Sequence, residues 1–391
     1  MSERDVDVVV VGGGPAGLST ALHLQAAAPH ARLVVLEAER YPREKICAGG
    51  LGARGLRVLE RIGVAVDVPM VRLDAIAVHV AGETVVTRSP GLGVVVRRVE
   101  FDHALAQHAI ARGIAVRDGC TVTALRVNDD HVELDTASGE TWRARAVVGA
   151  DGVAGIVRRA GGFPRGELRA QVVELDTEAA PADLPRDTIA FDFTARDLHG
   201  YAWDFPTLVH GEPLVCRGVY VLHRLGSDSP RARVDRYLAA RGLSLARYRL
   251  KQFAERGFEP GAPIGKPRVL LVGEAAGIDI ATGEGIAQAI EYGALAGPYL
   301  ARALARDDLG FASWRRHVDV HHVGWQLRVR HACYRIFYSR RRAKVERMLP
   351  AMTALFRVGV QDFAGLPLSK LAIARGAAQF VRAYIRENAR D

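Results

Sequence analysis

The run Gly12-Gly13-Gly14-Pro15-Ala16-Gly17 constrains this chain more than any other feature, because of what stands on either side of it. Before it, Val6 to Val11 is a β-branched run that reads as a buried parallel strand; after it, an Ala/Leu-rich helix reaches about Ala28. Pro29-His30 closes that helix, and Leu33 to Leu36 supplies a second strand ending in Glu37. The whole is a βαβ unit. Gly12, Gly14 and Gly17 fit the pattern G-x-G-x-x-G. The first glycine makes the tight turn, the second lets a pyrophosphate approach the backbone, and the third packs helix on strand. The helix start adds free N–H groups and a partial positive charge for phosphates. Glu37 stands where a carboxylate accepts hydrogen bonds from a ribose 2′-hydroxyl, which argues against NADP in this site.

Further segments decide which dinucleotide is bound. Arg98 enters a helix through Arg98-Val99-Glu100-Phe101-Asp102; Ala146 to Gly149 is a strand ending in the Asp151-Gly152 turn. Val269 to Val272 is a strand running into Gly273-Glu274-Ala275-Ala276-Gly277, then Gly283-Glu284-Gly285-Ile286 and another helix. With these segments the chain resembles the FAD-dependent oxidoreductases of the hydroxylase-type superfamily. Within it, two strings are similar to the geranylgeranyl reductase family: Tyr41-Pro42-Arg43-Glu44-Lys45-Ile46-Cys47-Ala48-Gly49-Gly50-Leu51 and Gly200-Tyr201-Ala202-Trp203-Asp204-Phe205-Pro206. The resemblance covers most of residues 5 to 310. It departs from the family in two places. Glu274 replaces the usual Asp, and the loop Ile278 to Thr282 is a residue shorter than in many relatives and lacks their proline.

The resemblance implies an α/β (α+β composite) fold: a Rossmann-type FAD-binding domain interleaved with a mixed-sheet substrate domain, then a helical C-terminal region. The flavin lobe is expected from residues 1–71, 97–160 and 262–310, the substrate domain from 72–96 and 161–261, and the tail from 311–391. For FAD it implies contacts from Gly12, Gly14, Pro15, Ala16, Gly17, Glu37, Ala38, Arg43, Cys47, Ala48, Arg98, Asp151, Gly152, Gly273, Glu274, Gly283, Gly285 and Ile286. Glu274 would bond the ribityl chain, and the Gly283-Glu284-Gly285 helix start would face the flavin ring or pyrophosphate. Tyr201, Trp203 and Phe205 would line the substrate cavity, with Tyr201 offering a hydroxyl. Cys47 precedes a flexible Ala48-Gly49-Gly50 turn that could bring its sulfur near the flavin, so Cys47, Tyr201 and Trp203 are the expected catalytic residues. A buried inert thiol and plain aromatic core are the bland alternatives.

The formal net charge of +9 is unevenly spread over the 391 residues. Phe311 to Asp391 holds 16 Lys+Arg against 5 Asp+Glu, so the basic character belongs to the tail. Its densest cluster is Arg340-Arg341-Arg342-Ala343-Lys344. A solvated helix surface is one reading; a surface that touches anionic lipid, or receives an anionic head group, is the other. No nucleic-acid motif accompanies the charge. Cys47, Cys120, Cys216 and Cys333 show no metal-binding spacing, and reduced thiols in a cytoplasmic protein are expected. The function expected is reduction of carbon–carbon double bonds in an isoprenoid or lipid-like substrate by hydride from reduced flavin. The competing reading is a flavin-dependent monooxygenase or halogenase of the same fold, acting on a hydrophobic or aromatic substrate with oxygen. The electron donor is left open between NAD(P)H and a protein.

Overall fold

The computed structural model describes residues 4–195, 198–223, 229–339 and 341–388. Its first sheet is built around the strand Asp5–Val11, which runs parallel to Leu33–Leu36 on one side and Thr141–Gly149 on the other. Val269–Leu271 and Ala115–Arg117 extend it in parallel at the two sides, and Val122–Val127 with Val132–Thr136 adds an antiparallel flap. Val8, Val9 and Val10 are fully buried, as a strand covered on both faces requires. The helix Pro15–Ala27 follows directly, and the long helix Ile286–Arg306 packs along it. Pro15–Ala27 therefore meets protein on nearly every side. That is why Leu18, Ala21, Leu22 and Leu24 are all buried instead of forming one apolar stripe.

The second sheet is mixed. Its order is Lys251–Arg256, Arg169–Thr177, Glu212–His223, His199–Val209, Thr188–Asp192, Met70–Val80, Glu83–Val96 and Gly50–Gly52. Its neighbours are antiparallel except Thr188–Asp192 beside Met70–Val80, which is parallel. Met70–Val80 and Glu83–Val96 form a hairpin of this sheet. Gly50–Gly52 belongs to this sheet, so the chain first crosses from one sheet to the other just after Cys47.

From residue 311 onward the described chain is helical: Trp314–Asp319, His322–Phe337, Arg342–Met348, Thr353–Ala364 and Lys370–Asn388. Trp314 is fully buried and its indole N–H donates to the Leu271 carbonyl at 2.9 Å, which pins the start of this region to the first sheet. Thr353–Ala364 then lies against Glu83–Val96, and Phe337 meets Phe193 edge-on at 5.3 Å. The helical region thus closes over the second sheet. No helix of the described residues is long and apolar enough to cross a membrane.

Candidate active site

One continuous cavity of about 1080 Å³ begins at the Gly12–Ala16 turn, passes Cys47 and Asp151, and ends between the mixed sheet and the C-terminal helices. At its head the three motif glycines divide their work. Gly12 has φ +103°, and a side chain there would strike the Ala150 carbonyl; one at Gly17 would strike the Gly12 carbonyl. Gly14 faces space bounded only by the guanidinium groups of Arg98 at 3.5 Å and Arg43 at 3.9 Å from a modest added carbon. Among the cofactor residues expected from sequence, Gly17 and Gly273 do not line the cavity: Gly273 packs against Ala16 as Gly17 packs against Gly12. The others do line it.

Arg43 and Arg98 are neither loose surface cations nor ordinary salt bridges. Arg98 grips Asp102 through two bonds of 2.6 and 2.7 Å, four residues on along the helix Arg98–Ala111. Arg43 reaches the same carboxylate at 2.9 Å and Glu37 at 3.1 Å. Asp102 is fully buried, so the two guanidinium groups are held at the turn before any ligand arrives. Glu37 is oriented from the backbone, accepting the Gly13 N–H at 2.7 Å and the Glu39 N–H at 3.1 Å. Tyr41 donates to the Gly13 carbonyl.

The Asp-Gly and Gly-Glu turns meet on the far side. Asp151 Oδ2 accepts the Val157 N–H at 2.9 Å, at the start of the short helix Ile156–Ala160, while Oδ1 is buried without a partner. Burial pushes the Asp151 carboxyl up to about 6. Glu274 Oε2 lies 3.5 Å from the side-chain position of Gly152, and Oε1 accepts the Arg256 N–H at 3.3 Å. The extra methylene of Glu274 is therefore absorbed by a bond to the Lys251–Arg256 strand. The loop after it folds around Asp279, whose Oδ1 accepts the Ala281 N–H at 2.8 Å in a side-chain turn.

These features fit FAD. An open glycine face lies beside two fixed guanidinium groups, a helix start lacks a side-chain cap, and the buried Asp151 Oδ1 and Arg43 Nε are left for a ligand to satisfy. The residues that would hold it are Gly12, Gly14, Pro15, Ala16, Glu37, Arg43, Arg98, Asp151 and Glu274. When bound, the flavin supplies hydride chemistry.

Cys47 sits between the two ends of the cavity. Its Sγ accepts the Gly49 N–H at 3.4 Å and its own N–H donates to Glu174 Oε1 at 3.1 Å. Burial raises the thiol's affinity for its proton, outweighing the nearby Arg98, so this is a neutral S–H at neutral pH.

The floor follows from strand alternation. Tyr201, Trp203 and Phe205 project to one side of His199–Val209 and line the cavity, while Asp204 on the other side is held by Arg217 at 2.7 Å and Arg241 at 2.8 Å. Tyr201 stacks on Tyr220 at 5.0 Å, and Phe191 meets both Tyr201 and Phe205 edge-on at 5.4 Å. The Tyr201 hydroxyl, expected to face a substrate, instead donates to the Thr282 carbonyl at 2.6 Å. Its proton is committed to the flavin-side loop.

Sequence reasoning missed the buried ion cluster that roofs this loop. Arg54 pairs with Glu284 at 2.6 Å and Glu291 at 3.2 Å; Arg330 pairs with Glu284 at 2.6 Å, Asp279 at 2.7 Å and Asp362 at 3.3 Å. His322 bridges Glu291 at 3.0 Å and Asp362 at 2.9 Å, and those carboxylates push it up to about 9. Arg330, and Arg342 of the basic cluster, are thus turned inward; Arg342 donates to the Leu198 carbonyl and pairs with Glu346 at 2.6 Å. Arg340 lies outside the described residues. The available signal was weak: Arg54 and Arg330 meet their acids only across long stretches of sequence.

Comparison with known proteins agrees with this geometry. Residues 5–197 match the family model described as FAD binding domain. The chain is 28% identical over 343 residues to a digeranylgeranylglycerophospholipid reductase of Methanosarcina acetivorans, covering 82% of this chain and 80% of that protein. It is 34% identical over 189 residues to a rifampicin monooxygenase of Streptomyces venezuelae, a match confined to 46% of this chain and 39% of that one. The structure of a geranylgeranyl bacteriochlorophyll reductase-like protein from Thermoplasma acidophilum superimposes with a TM-score of 0.70 over 98% of both chains at 19% identity. An FAD-binding head, a flavin-side loop locked to a mixed sheet, and similarity to a reductase over four-fifths of the chain lead to one assignment: the chain is an FAD-dependent oxidoreductase, similar to the geranylgeranyl reductases.

Proposed function

We propose that this protein reduces carbon–carbon double bonds of an isoprenoid or other lipid-like substrate with hydride from reduced flavin. The observation that carries the reading is the cavity's continuity: the space beside the Gly12–Gly14 turn and Asp151 runs without a wall onto the floor of Tyr201, Trp203, Phe205 and Tyr220. An elongated apolar chain is the ligand class such a lining suits. The likeness to a digeranylgeranylglycerophospholipid reductase over four-fifths of that protein supports the same reading. In it, Trp203 and Phe205 wall the substrate, Tyr201 sets the floor's distance from the Thr282 loop, and Cys47 stands as a neutral thiol beside the reacting bond. Cys47→Ser is expected to retain FAD and change turnover; unchanged turnover removes Cys47 from the reacting groups.

The test is anaerobic. Reduced protein mixed with lipids carrying geranylgeranyl chains is expected to give product with two added hydrogens per reduced bond. Product that forms only with oxygen and carries an added oxygen or halogen overturns the reading in favour of the monooxygenase or halogenase alternative.

The C-terminal helices supply a route for such a substrate. Of the thirteen large apolar residues exposed among those described, ten lie between Val320 and Ile385, in the region that also carries the chain's net positive charge. Trp325, Val329 and Leu355 are at once exposed and part of the cavity lining. This face rests on an anionic bilayer in the proposed function, with the cavity mouth opening onto the lipid.

A further inference from the structure

On the floor of the cavity, alternate residues of each strand face inward, and nearly all are aromatic or aliphatic. Two are carboxyls: Glu174 beside Val172, and Glu255 beside Phe253. A carboxyl in such surroundings is costly unless it is satisfied or neutral. Glu174 has a structural task in accepting the Cys47 N–H. Glu255 is only 6% exposed, and the bond it makes is from a floor residue, the Tyr220 hydroxyl, which donates to Oε1 at 2.9 Å. Its other oxygen faces the flavin-side loop, lying 3.6 Å from the side-chain position of Gly283, where Tyr201 Oη is 3.0 Å away. The carboxyl, the Tyr201–Tyr220 stack and that loop therefore converge on one point of the cavity.

We propose that Glu255 is the proton donor to the substrate double bond, an inference that rests on the alkene-reduction reading above. One alkene carbon gains hydride from the reduced cofactor, which is thereby oxidised. Its neighbour gains the proton of Glu255 Oε2–H: that O–H bond breaks as the second C–H bond forms, leaving a carboxylate that solvent reprotonates before the next turnover. Burial and the adjacent Glu274 and Asp279 push the Glu255 carboxyl well above the usual range, against the Tyr220 bond and Lys45, so the acid holds a proton to give. The buried hydroxyls of Tyr201 and Tyr220 hold their protons more tightly still, and both already donate, to Thr282 and to Glu255.

The experiment compares flavin-loaded wild type with Glu255→Gln, which keeps the acceptor for Tyr220 but has no acidic proton. The first readout is independent of turnover: the infrared difference spectrum of the two oxidised proteins at pH 8 is expected to show a protonated carboxyl stretch in wild type that the variant lacks. The second is the anaerobic reoxidation of each reduced protein by a prenyl substrate, expected to slow by roughly 10²–10⁴-fold in the variant. Flavin content and photochemical reduction should be unchanged. Glu255→Asp, which keeps the acid one methylene back, should recover part of the rate and guards against a folding defect. A Glu255→Gln protein as fast as wild type, or a wild type with no protonated carboxyl, overturns this inference alone. A wild type that reduces no prenyl bond overturns the parent reading and this one with it.

Discussion

Glu174 carries a charge question that its strand alone does not reveal. It faces the cavity with Oε1 engaged and Oε2 buried without a partner, and burial raises its carboxyl from an ordinary 4.5 to about 7. A carboxyl raised in the folded state contributes stability that is fully present below its unfolded value and is lost as pH rises through the folded one. The loss therefore runs from about pH 4.5 to about pH 7, and a raised value of this size corresponds to about 3 kcal/mol. Glu174→Gln keeps the acceptor for Cys47 and removes the titration. Its Tm is expected to stay flatter than that of wild type across this window; parallel Tm curves for the two proteins would dismiss the assignment. Gly12 tests the opposite kind of residue, one whose role the motif already announces. With φ at +103° and the Ala150 carbonyl in the way, Gly12→Ala is expected to lower stability by about 2 kcal/mol or more and to empty the flavin site, read by chemical denaturation and by bound-flavin absorbance.

Between elements, the ion cluster does the joining. Arg54 comes from the helix Ala53–Glu60, Glu284 and Glu291 from the start of Ile286–Arg306 and the loop before it, Arg330 and His322 from His322–Phe337, and Asp362 from Thr353–Ala364. Arg54 is nearly fully buried, so Arg54→Met leaves Glu284 with Arg330 alone and Glu291 with His322 alone, and is expected to cost about 3 kcal/mol, measured by urea denaturation. A loss under 1 kcal/mol would mean that Arg330 and His322 suffice to hold the two acids. His322 adds a pH term of its own. Its value is raised from 6.5 to about 9, so its contribution is complete below pH 6.5 and disappears as pH climbs through about 9. Because its side chain is 46% exposed, solvent screens the pair and the effect is modest. His322→Gln should remove the alkaline part of the Tm decline and leave the Glu174 part in place. None of these pairings was legible beforehand, since helical periodicity marks which face is apolar but not which distant acid a buried arginine meets.

At the scale of the whole molecule, the tail's charge and its exposed apolar residues make a prediction about location. Vesicles containing phosphatidylglycerol should sediment the protein at low salt, while phosphatidylcholine vesicles should bind less, and raising ionic strength should release it. Equal binding to both lipids would deny the charge a role, and no binding to either would remove the proposed route into the cavity. Arg330 and Arg342 are neutralised inside the fold, so the field available to lipid is smaller than composition suggests. The same region read from sequence as a basic appendage is also the roof of the active-site cavity, which explains why aromatic residues are interleaved with its arginines.

The first 40 residues determine a great deal alone, because their constraints are local. A turn with positive φ, a strand buried on both faces and a helix start each follow from residue types at short spacing. Those are the residues whose structural roles the fold repeats, with Gly17 packing and Gly14 open. The aromatic triplet Tyr201, Trp203 and Phe205 was likewise legible, since alternation puts all three on one face. Which face looks into the cavity, and what stands across from it, was decided only in three dimensions. Asp102 between two arginines, Tyr201 bonded to Thr282, Glu255 under Tyr220 and the roof of Arg54 and Arg330 all depend on groups separated by long loops. Their meeting is settled by packing of the two sheets and the closing helices, a global property that no window of sequence contains.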